Sequence, residues 1–210
     1  MNIMTKQQKI DILKKHATWK PDIGEQALDR LGCKVICEVG VRKGGHFRHL
    51  MMSNPNLAVA VDCWKEVPGK PMYNDVGSSQ DVLDDEYNNM VMEFGHLDNV
   101  RIVRNFSIEA SEQFPNQFFD FIYIDAAHTY EEVKMDLEAW YPKIKDGGIL
   151  SGHDYFPDTR IWRGDPCGVY QAVNEFVEEN KLSVDHITDV NKEGGPNVAC
   201  TSFFVIKEMN

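Results

Sequence analysis

Short apolar runs alternate with amphipathic stretches along most of the chain. Residues 80–94, 129–140 and 169–179 carry apolar side chains at helical spacing, with polar side chains between them. The apolar runs between such stretches have the length of buried strands. They occupy residues 34–39, 57–62, 100–103, 118–125 and 149–152. This alternation predicts an α/β fold with a doubly wound, mostly parallel sheet and helices on both faces.

The two ends of the chain add to this pattern. Residues 183–187 and 200–206 predict two final strands, and the Gly-Gly-Pro sequence at 194–196 is typical of a hairpin-like return. We therefore expect an antiparallel last strand. At the other end, residues 1–32 predict a helical preamble, with Thr5 as the cap of its first helix. We expect this preamble to pack over the edge of the sheet or over a bound cofactor.

Chain length and loop composition suggest one domain. The chain has 210 residues and a mass of 24.0 kDa, enough for one domain with a substantial core, so we expect a single domain over residues 1–210. Residues 63–79 and 155–168 lose hydrophobic periodicity and collect Gly and Pro. Such stretches are typical of binding loops, and we predict that both shape a substrate pocket. For residues 63–79, disorder is the competing interpretation.

Charge and cysteine content exclude several classes of protein. The formal net charge is −11, which disfavours a nucleic acid as partner because phosphate backbones are met by surplus Lys and Arg. We find no apolar run long enough to span a bilayer and no signal-peptide pattern at the N-terminus, so we expect a cytoplasmic protein with a small-molecule partner. Five cysteines without a Cys-x-x-Cys pair predict free thiols.

The first apolar run leads into a glycine cluster. After residues 34–39 the chain continues through Gly40, Gly44 and Gly45 into residues 47–52, which can form a helix. A strand, a glycine turn and a helix in this order aim unpaired backbone N–H groups at a ligand. A dinucleotide site would need a glycine where this chain has Glu38, so an amine fits the acid better than a pyrophosphate does. A turn whose glycines serve only packing remains the alternative.

Several of the predicted strands end in an acid. Glu38 is at the end of the first, Asp62 closes the second, Asp125 closes the fourth, and the pair His153–Asp154 follows the fifth. The carboxyl ends of parallel strands meet at one edge of the sheet, where ligands bind in such folds. We therefore expect these side chains to lie together around one site. The position of Asp62, about twenty residues after the glycine turn, suits a carboxylate that accepts from ribose hydroxyls.

Longer strings carry a resemblance to a known family. From about Val35 to Tyr155 the chain resembles the class I S-adenosylmethionine-dependent methyltransferases, which have a Rossmann-like sheet. The strings Ile124-Asp-Ala-Ala-His-Thr-Tyr-Glu-Glu-Val and Gly147-Gly-Ile-Leu-Ser-Gly-His-Asp-Tyr155 resemble a bacterial subgroup that includes macrocin-type sugar O-methyltransferases. The stretches at 168–176 and 202–207 are similar to it as well.

The resemblance implies S-adenosyl-L-methionine as cofactor and transfer of its methyl group to a small molecule, with the oxygen of a sugar or phenol-like hydroxyl as the expected acceptor. The implied cofactor-binding residues are Glu38, Gly40, Gly44, Asp62, Phe106, Ser107 and Asp125. Phe106 and Ser107 would lie beside the adenine. For Ser107, capping of the helix that follows is an equally good account.

The resemblance also implies a catalytic group, composed of Asp125, His128 and His153. In related enzymes a divalent cation, Mg or Mn, is held by an acid after the fourth strand and a pair after the fifth, which are Asp125, His153 and Asp154 here. His153 departs from the all-oxygen set that magnesium prefers, so His153 as a general base stays open. His128 is an alternative base, or it fixes the turn before the next helix.

Two other functions stay open from the sequence. The chain could bind the cofactor without turnover, as a regulatory protein. A nicotinamide-dependent oxidoreductase is a remote alternative, because Glu38 interrupts the glycine spacing that such enzymes need. The oligomeric state is not readable from the sequence, and a homodimer is allowed.

Overall fold

A seven-stranded sheet forms the centre of the protein. The computed structural model describes residues 4–67, 79–157, 161–162, 165–189 and 201–209. In this part of the chain the strand order is β3-β2-β1-β4-β5-β9-β8, and a separate small ribbon pairs β6 with β7. The strands are β1 (Val35–Val39), β2 (Leu57–Asp62), β3 (Val100–Arg104), β4 (Phe119–Ile124), β5 (Ile144–Gly152), β6 (Ile161–Trp162), β7 (Asp165–Pro166), β8 (His186–Ile187) and β9 (Phe203–Ile206).

Helices flank both faces of the sheet. They are α1 (Lys6–His16), α2 (Lys20–Asp22), α3 (Gly45–Met51), α4 (Gln80–Phe94), α5 (Ser107–Ser111), α6 (Tyr130–Trp140) and α7 (Val169–Glu179). A π-helical turn, Ile23–Ala27, follows α2, and a 3₁₀ turn, Tyr141–Lys143, follows α6. None of the helices in the described ranges is long and apolar enough to cross a membrane.

Strand pairing confirms the predicted fold class. β1 lies between β2 and β4 and pairs with both in parallel, and β4 pairs in parallel with β5. β9 runs antiparallel to β5, as expected for the last strand. The strand order reverses between β1 and β4, and this is where open α/β sheets bind their ligands.

The core has two layers because alternate strand residues face opposite sides of the sheet. In β1, Cys37 and Val39 pack in the layer beneath α5, α6 and α7, whereas Ile36 packs in the layer beneath α1, α3 and α4. Trp140 and Trp64 are buried, one in each layer. The central strands are thus covered on both faces, which explains why they are continuous apolar runs rather than alternating ones.

Most predicted elements are confirmed, with local corrections. Thr5 caps α1 together with Gln8, and α4 has the predicted bounds. β5 begins at Ile144 rather than at 149, because the Asp146-Gly-Gly turn is absorbed into the strand as an irregularity in its pairing with β4. Ser107 is not a cap. It is the first residue of α5, and Phe106 occupies the cap position.

Parts of the predicted loops lie outside the described residues. For the first loop these are residues 68–78, and for the second they are 158–160 and 163–164, together with the predicted return at 194–196. In the described part of the second loop, β6 pairs with β7. Of the five cysteines, Cys33, Cys37, Cys63 and Cys167 are free thiols, and Cys200 is outside the described ranges.

Candidate active site

A cavity of about 510 Å³ opens at the carboxyl ends of the central strands. The strand-end acids predicted to lie together, Glu38, Asp62, Asp125 and Asp154, all line it, and so does His153. They come from four different strands, so the sheet itself holds them at one site.

The glycine turn after β1 forms one wall of this cavity. Gly40 has a φ of +91°, and a Cβ there would lie 2.1 Å from the backbone oxygen of Asp125. The turn can therefore pass beside the end of β4 only without a side chain. Gly45 also lines the cavity. At Gly44, directly before it, a Cβ would collide with the side chain of Met90 in α4, so the absence of a side chain at Gly44 lets α4 pack there. Gly40 thus shapes the cavity directly, while Gly44 seats the helix behind it.

Glu38 and His46 form a buried pair on the same wall. His46 Nδ1 lies 3.2 Å from Glu38 Oε1, and the imidazole packs on the ring of Tyr123 at 4.2 Å between centroids. Burial lowers the pKa of His46, against the effect of Glu38. The other two polar atoms, Glu38 Oε2 and His46 Nε2, are buried without a hydrogen-bond partner. A buried acceptor without a donor is costly, so these two atoms indicate a ligand that donates.

Asp62 is fixed by the backbone of two loops. Its Oδ2 accepts from the N–H of Arg42 and its Oδ1 from the N–H of Trp64, both at 2.9 Å. Trp64 in turn donates from Nε1 to the Arg42 carbonyl at 2.9 Å. Burial raises the pKa of Asp62, although these two N–H groups act against it. The carboxylate is held rigidly, and each oxygen keeps a second lone pair for a ligand hydroxyl.

A third group lies where the resemblance expects the adenine. Phe106 and Ser107 line the cavity, and the Ser107 hydroxyl bridges two residues of α6: it accepts from Trp140 Nε1 at 2.8 Å and donates to Asp136. Burial raises the pKa of Asp136 to about 7, while the bond from Ser107 acts against this. Because both of its hydrogen bonds go to α6, the Ser107 hydroxyl does not cap α5.

On a second wall, acids and bases pair with one another. We call Lys20, Asp125, His128, His153 and Asp154 the charged cluster. Lys20 Nζ lies 2.5 Å from Asp125 Oδ2, so a lysine from the N-terminal preamble reaches the end of β4. Burial opposes a charged Lys20, but Asp125 and then Glu38 raise its pKa. Burial would likewise raise the pKa of Asp125, yet Lys20 and His153 hold it well below its usual range.

His128 bridges the two acids of the cluster. Its Nε2 lies 2.8 Å from Asp154 Oδ2 and 3.5 Å from Asp125 Oδ1. Burial alone would lower the pKa of His128, but its bonds to both acids raise it to about 10. His153 Nδ1 lies 3.5 Å from Asp154 Oδ1 and 3.8 Å from Asp125 Oδ1. The two acids thus share both histidines, and Asp125 also pairs with Lys20. Asp154 reaches the histidines from a left-handed backbone, with φ of +55°.

The cluster also contains a set of metal-type donors. Ligand atoms of Asp125, His128 and Asp154 lie within 4.8 Å of one another. The family resemblance implied Asp125, His153 and Asp154 as the metal ligands. The compact group of donors in the structure contains His128 instead of His153. Two carboxylates and one imidazole suit manganese, iron or zinc better than magnesium. A bound ion would require His128 to lose the proton that the acids now hold on it.

Comparison with known proteins identifies the family. Residues 37–155, more than half of the chain, match the methyltransferase domain family. The chain belongs to this family. It is an S-adenosylmethionine-dependent methyltransferase, which excludes the nicotinamide-dependent alternative. No curated protein sequence matches the chain.

Solved structures share the fold of this methyltransferase at low identity. A putative caffeoyl-CoA O-methyltransferase from Staphylococcus aureus aligns with a TM-score of 0.61 and 15% identity, over 94% of this chain and 91% of that one. The N-methyltransferase NodS from Bradyrhizobium japonicum aligns with a TM-score of 0.60 and 11% identity, over 97% and 96%. Spermidine synthase from Thermotoga maritima aligns with a TM-score of 0.51 and 16% identity, over 85% of this chain and 54% of that one. The methyltransferase therefore spans about half the length of that synthase.

The buried atoms of the cavity fit the cofactor of the family. Glu38 and His46 offer acceptors to its ammonium group, and Asp62 has lone pairs for its ribose. The lining residues that were not predicted from the sequence include Lys20, His46 and Asp136. A signal for Asp136 was present, because Glu132 and Asp136 repeat at i, i+4 on the buried face of α6 beside Val133 and Leu137. No local pattern marks Lys20.

Proposed function

We propose that this methyltransferase transfers the methyl group of S-adenosylmethionine to a hydroxyl oxygen of a small molecule, a sugar or a phenol-like compound, as in the macrocin-type subgroup that the sequence resembles. The charged cluster is the observation that carries this proposal. It lines the same cavity as Asp62, and its two imidazoles and two carboxylates would face an acceptor that meets the cofactor there. An oxygen nucleophile needs such groups because its proton must be removed.

The reaction requires positioning and one proton acceptor. The acceptor oxygen forms a bond to the methyl carbon while the bond from this carbon to sulfur breaks, and the hydroxyl proton passes to the protein. His128 is protonated near neutral pH, since its pKa is about 10, so it does not accept this proton in the resting cluster. We assign the proton to His153, with the His128 imidazolium holding Asp154 in place.

A divalent ion is a further part of the proposal. Asp125, His128 and Asp154 would hold it through two carboxylates and one imidazole. When bound, it would polarise the acceptor oxygen as a Lewis acid. With the ion bound, His128 would give up its proton and act as a ligand, so the ion would replace the imidazolium in holding Asp154. Lys20 would stay on the other oxygen of Asp125, and His153 would stay beside both acids.

The surface charge supports a small acceptor rather than a nucleic acid. With a net charge of −11, the chain repels phosphate backbones. The proposed setting is the cytoplasm, with no membrane partner, and a homodimer is compatible with it.

Calorimetric titration tests the cofactor site first. Wild type should bind S-adenosylmethionine and its demethylated product, and Asp62→Ala should weaken both by about 10- to 100-fold, because it removes a charge-assisted acceptor from the ribose. A wild type that binds neither compound would contradict the proposal. Asp84→Ala, an acid in an exposed pair with Arg104, is the matched control and should bind as wild type does.

Panels of sugars, phenols and carboxylic acids test the acceptor. We expect turnover of a hydroxyl compound and a fall of about 100- to 1,000-fold in kcat for His153→Gln. Turnover confined to amines or carboxylic acids would overturn the choice of oxygen acceptor. The absence of any acceptor would favour a cofactor-binding protein without turnover.

The metal is tested by thermal unfolding with added Mn²⁺ and by activity after chelation. A rise in Tm that is lost in Asp154→Asn would support the site. Full activity in excess chelator would contradict an obligatory ion at Asp125, His128 and Asp154, and equally at the expected set with His153.

A further inference from the structure

Lys20 is held at the cavity by contacts from both ends of the chain. It is the first residue of α2, directly after Trp19. Two residues before Lys20, the Thr18 hydroxyl donates to Asp22 at 2.6 Å, and the Thr18 carbonyl accepts from the N–H of Asp189 at 2.7 Å. His186 Nε2 bonds the Ala17 carbonyl at 2.8 Å. A segment anchored at this many backbone points presents its lysine in a defined direction.

The ammonium of Lys20 has donors to spare. In the described part of the chain its one hydrogen-bond partner is Asp125 Oδ2 at 2.5 Å, whereas an ammonium carries three N–H donors. The group also lies 5.4 Å from the centre of the Tyr123 ring, on the same side of the sheet as His46. Lys20 lines the cavity, so the remaining donors are available to a ligand.

The neighbouring pair Glu38 and His46 shows the opposite arrangement. Glu38 accepts only, so the Nδ1 that faces it carries the imidazole proton, and Nε2 of this neutral ring is an acceptor. Glu38 Oε2 and His46 Nε2 are therefore two buried acceptors without a donor. The cavity thus has unpaired acceptors beside a lysine with spare donors. This is the complement of an amino acid zwitterion.

Three other cationic side chains that line the cavity contact protein groups away from Glu38. Arg42 and Lys43 both pair with Glu86 of α4, at 3.3 Å and 3.5 Å. Lys65 lies over the Phe106 ring at 5.7 Å, on the adenine side. Lys20 is accordingly the cation best placed for an anionic group next to Glu38.

We propose that Lys20 binds the carboxylate of the amino acid part of S-adenosylmethionine, while Glu38 and His46 bind its ammonium. The carboxylate and the ammonium of the zwitterion are then bound by groups from different parts of the chain, and the N-terminal preamble is part of the cofactor site. This inference rests on the proposed use of the cavity for this cofactor. It assigns Lys20 to the cofactor and not to the methyl acceptor.

The test compares S-adenosylmethionine with its decarboxylated analogue, which keeps the ammonium and lacks the carboxylate. Affinities are measured by calorimetry without any acceptor. Wild type should prefer the full cofactor, and Lys20→Met should lose about 10- to 100-fold in affinity for it, since a charge-assisted hydrogen bond is removed. The same variant should bind the decarboxylated analogue within about threefold of wild type. Lys20→Arg should restore part of the loss.

The control is Lys134→Met, which removes the same charge from an exposed pair with Glu179 away from the cavity. It should bind both ligands as wild type does. Unchanged affinity of Lys20→Met for the full cofactor would overturn the proposal and would favour a role toward the acceptor. An equal loss for both ligands would also overturn it, because that pattern indicates a damaged site. A wild type that binds neither ligand would instead overturn the proposed function itself.

Discussion

The two walls of the cavity satisfy their polar groups in different ways. On the cofactor wall, formed by Glu38, His46 and Asp62, one oxygen of Glu38 accepts from His46 and Asp62 accepts from backbone N–H groups. Two buried acceptor atoms, Glu38 Oε2 and His46 Nε2, have no hydrogen-bond partner. In the charged cluster every acid is neutralised from within, by Lys20, His128 and His153. The first wall has acceptors without a donor, whereas in the second each acid already has a cationic or basic partner.

This difference indicates how each wall works. Unpaired buried acceptors are destabilising, so a donor that arrives at Glu38 and His46 relieves a cost already present in the folded protein. In the charged cluster, a ligand must compete with ion pairs that already exist, so binding there requires the pairs to rearrange. We therefore expect the cofactor wall, together with Lys20, to govern cofactor affinity, and the acids and histidines of the charged cluster to govern turnover.

The largest expected effect comes from breaking the contact that joins the walls. Gly40→Ala places a Cβ 2.1 Å from the Asp125 carbonyl at a φ of +91°. It should destabilise the fold by about 3 kcal/mol, from the clash and the backbone strain together. Urea unfolding measures the change.

Gly32→Ala is the matched control for that experiment. Gly32 has a φ of +72°, but nothing lies within 4 Å of a Cβ there, so only strain of about 1 kcal/mol remains. Equal losses for the two variants would show that the turn does not depend on its close approach to β4.

The next test separates the walls by affinity. Glu38→Gln replaces an acceptor by an amide donor at the expected ammonium and should weaken S-adenosylmethionine binding about 100-fold. Asp154→Asn removes one acid of the charged cluster and suits the backbone, because Asn tolerates the left-handed φ of +55°. It should change cofactor affinity by less than about threefold while reducing kcat. Similar affinity losses in both variants would remove the distinction between the walls.

The same division separates what could be predicted from the sequence. The strands, the glycine turn and the strand-end acids were predictable because apolar runs and glycine spacing are local patterns. The convergence of Glu38, Asp62, Asp125 and Asp154 followed from the rule that parallel strands end at one edge.

The pairing within the site was not predictable in the same way. Lys20 meets Asp125 across 105 positions of sequence, and this contact depends on how the preamble packs. His46 faces back toward Glu38 only because α3 starts at Gly45, directly after a left-handed Gly44. The choice of His128 over His153 in the compact donor group depends on side-chain geometry, which residue spacing does not determine.

A pH titration of stability tests the ion pairs of His128 in the charged cluster. The pKa of His128 is 6.5 in its ordinary state and about 10 in the folded protein. A base with a raised pKa stabilises the fold below its ordinary pKa, and this contribution is lost as pH rises toward 10. Between pH 7 and pH 10, wild type should lose about 3 kcal/mol more unfolding free energy than His128→Gln. Parallel curves for the two proteins would contradict the ion pairs of His128 with Asp154 and Asp125.

The last test concerns Asp136, which lines the cavity beside Ser107. Its pKa rises from 3.8 to about 7 on folding, with burial as the main cause. The folded protein then binds more protons than the unfolded chain, so stability falls as pH rises from about 4 to about 7. Asp136→Asn removes this dependence and keeps an acceptor for Ser107. It should therefore exceed wild type by about 3 kcal/mol at pH 8 and match it near pH 4. Glu138→Gln, an exposed acid on the same helix, should follow the wild-type curve, and a gain in that variant would assign the effect to helix charge instead.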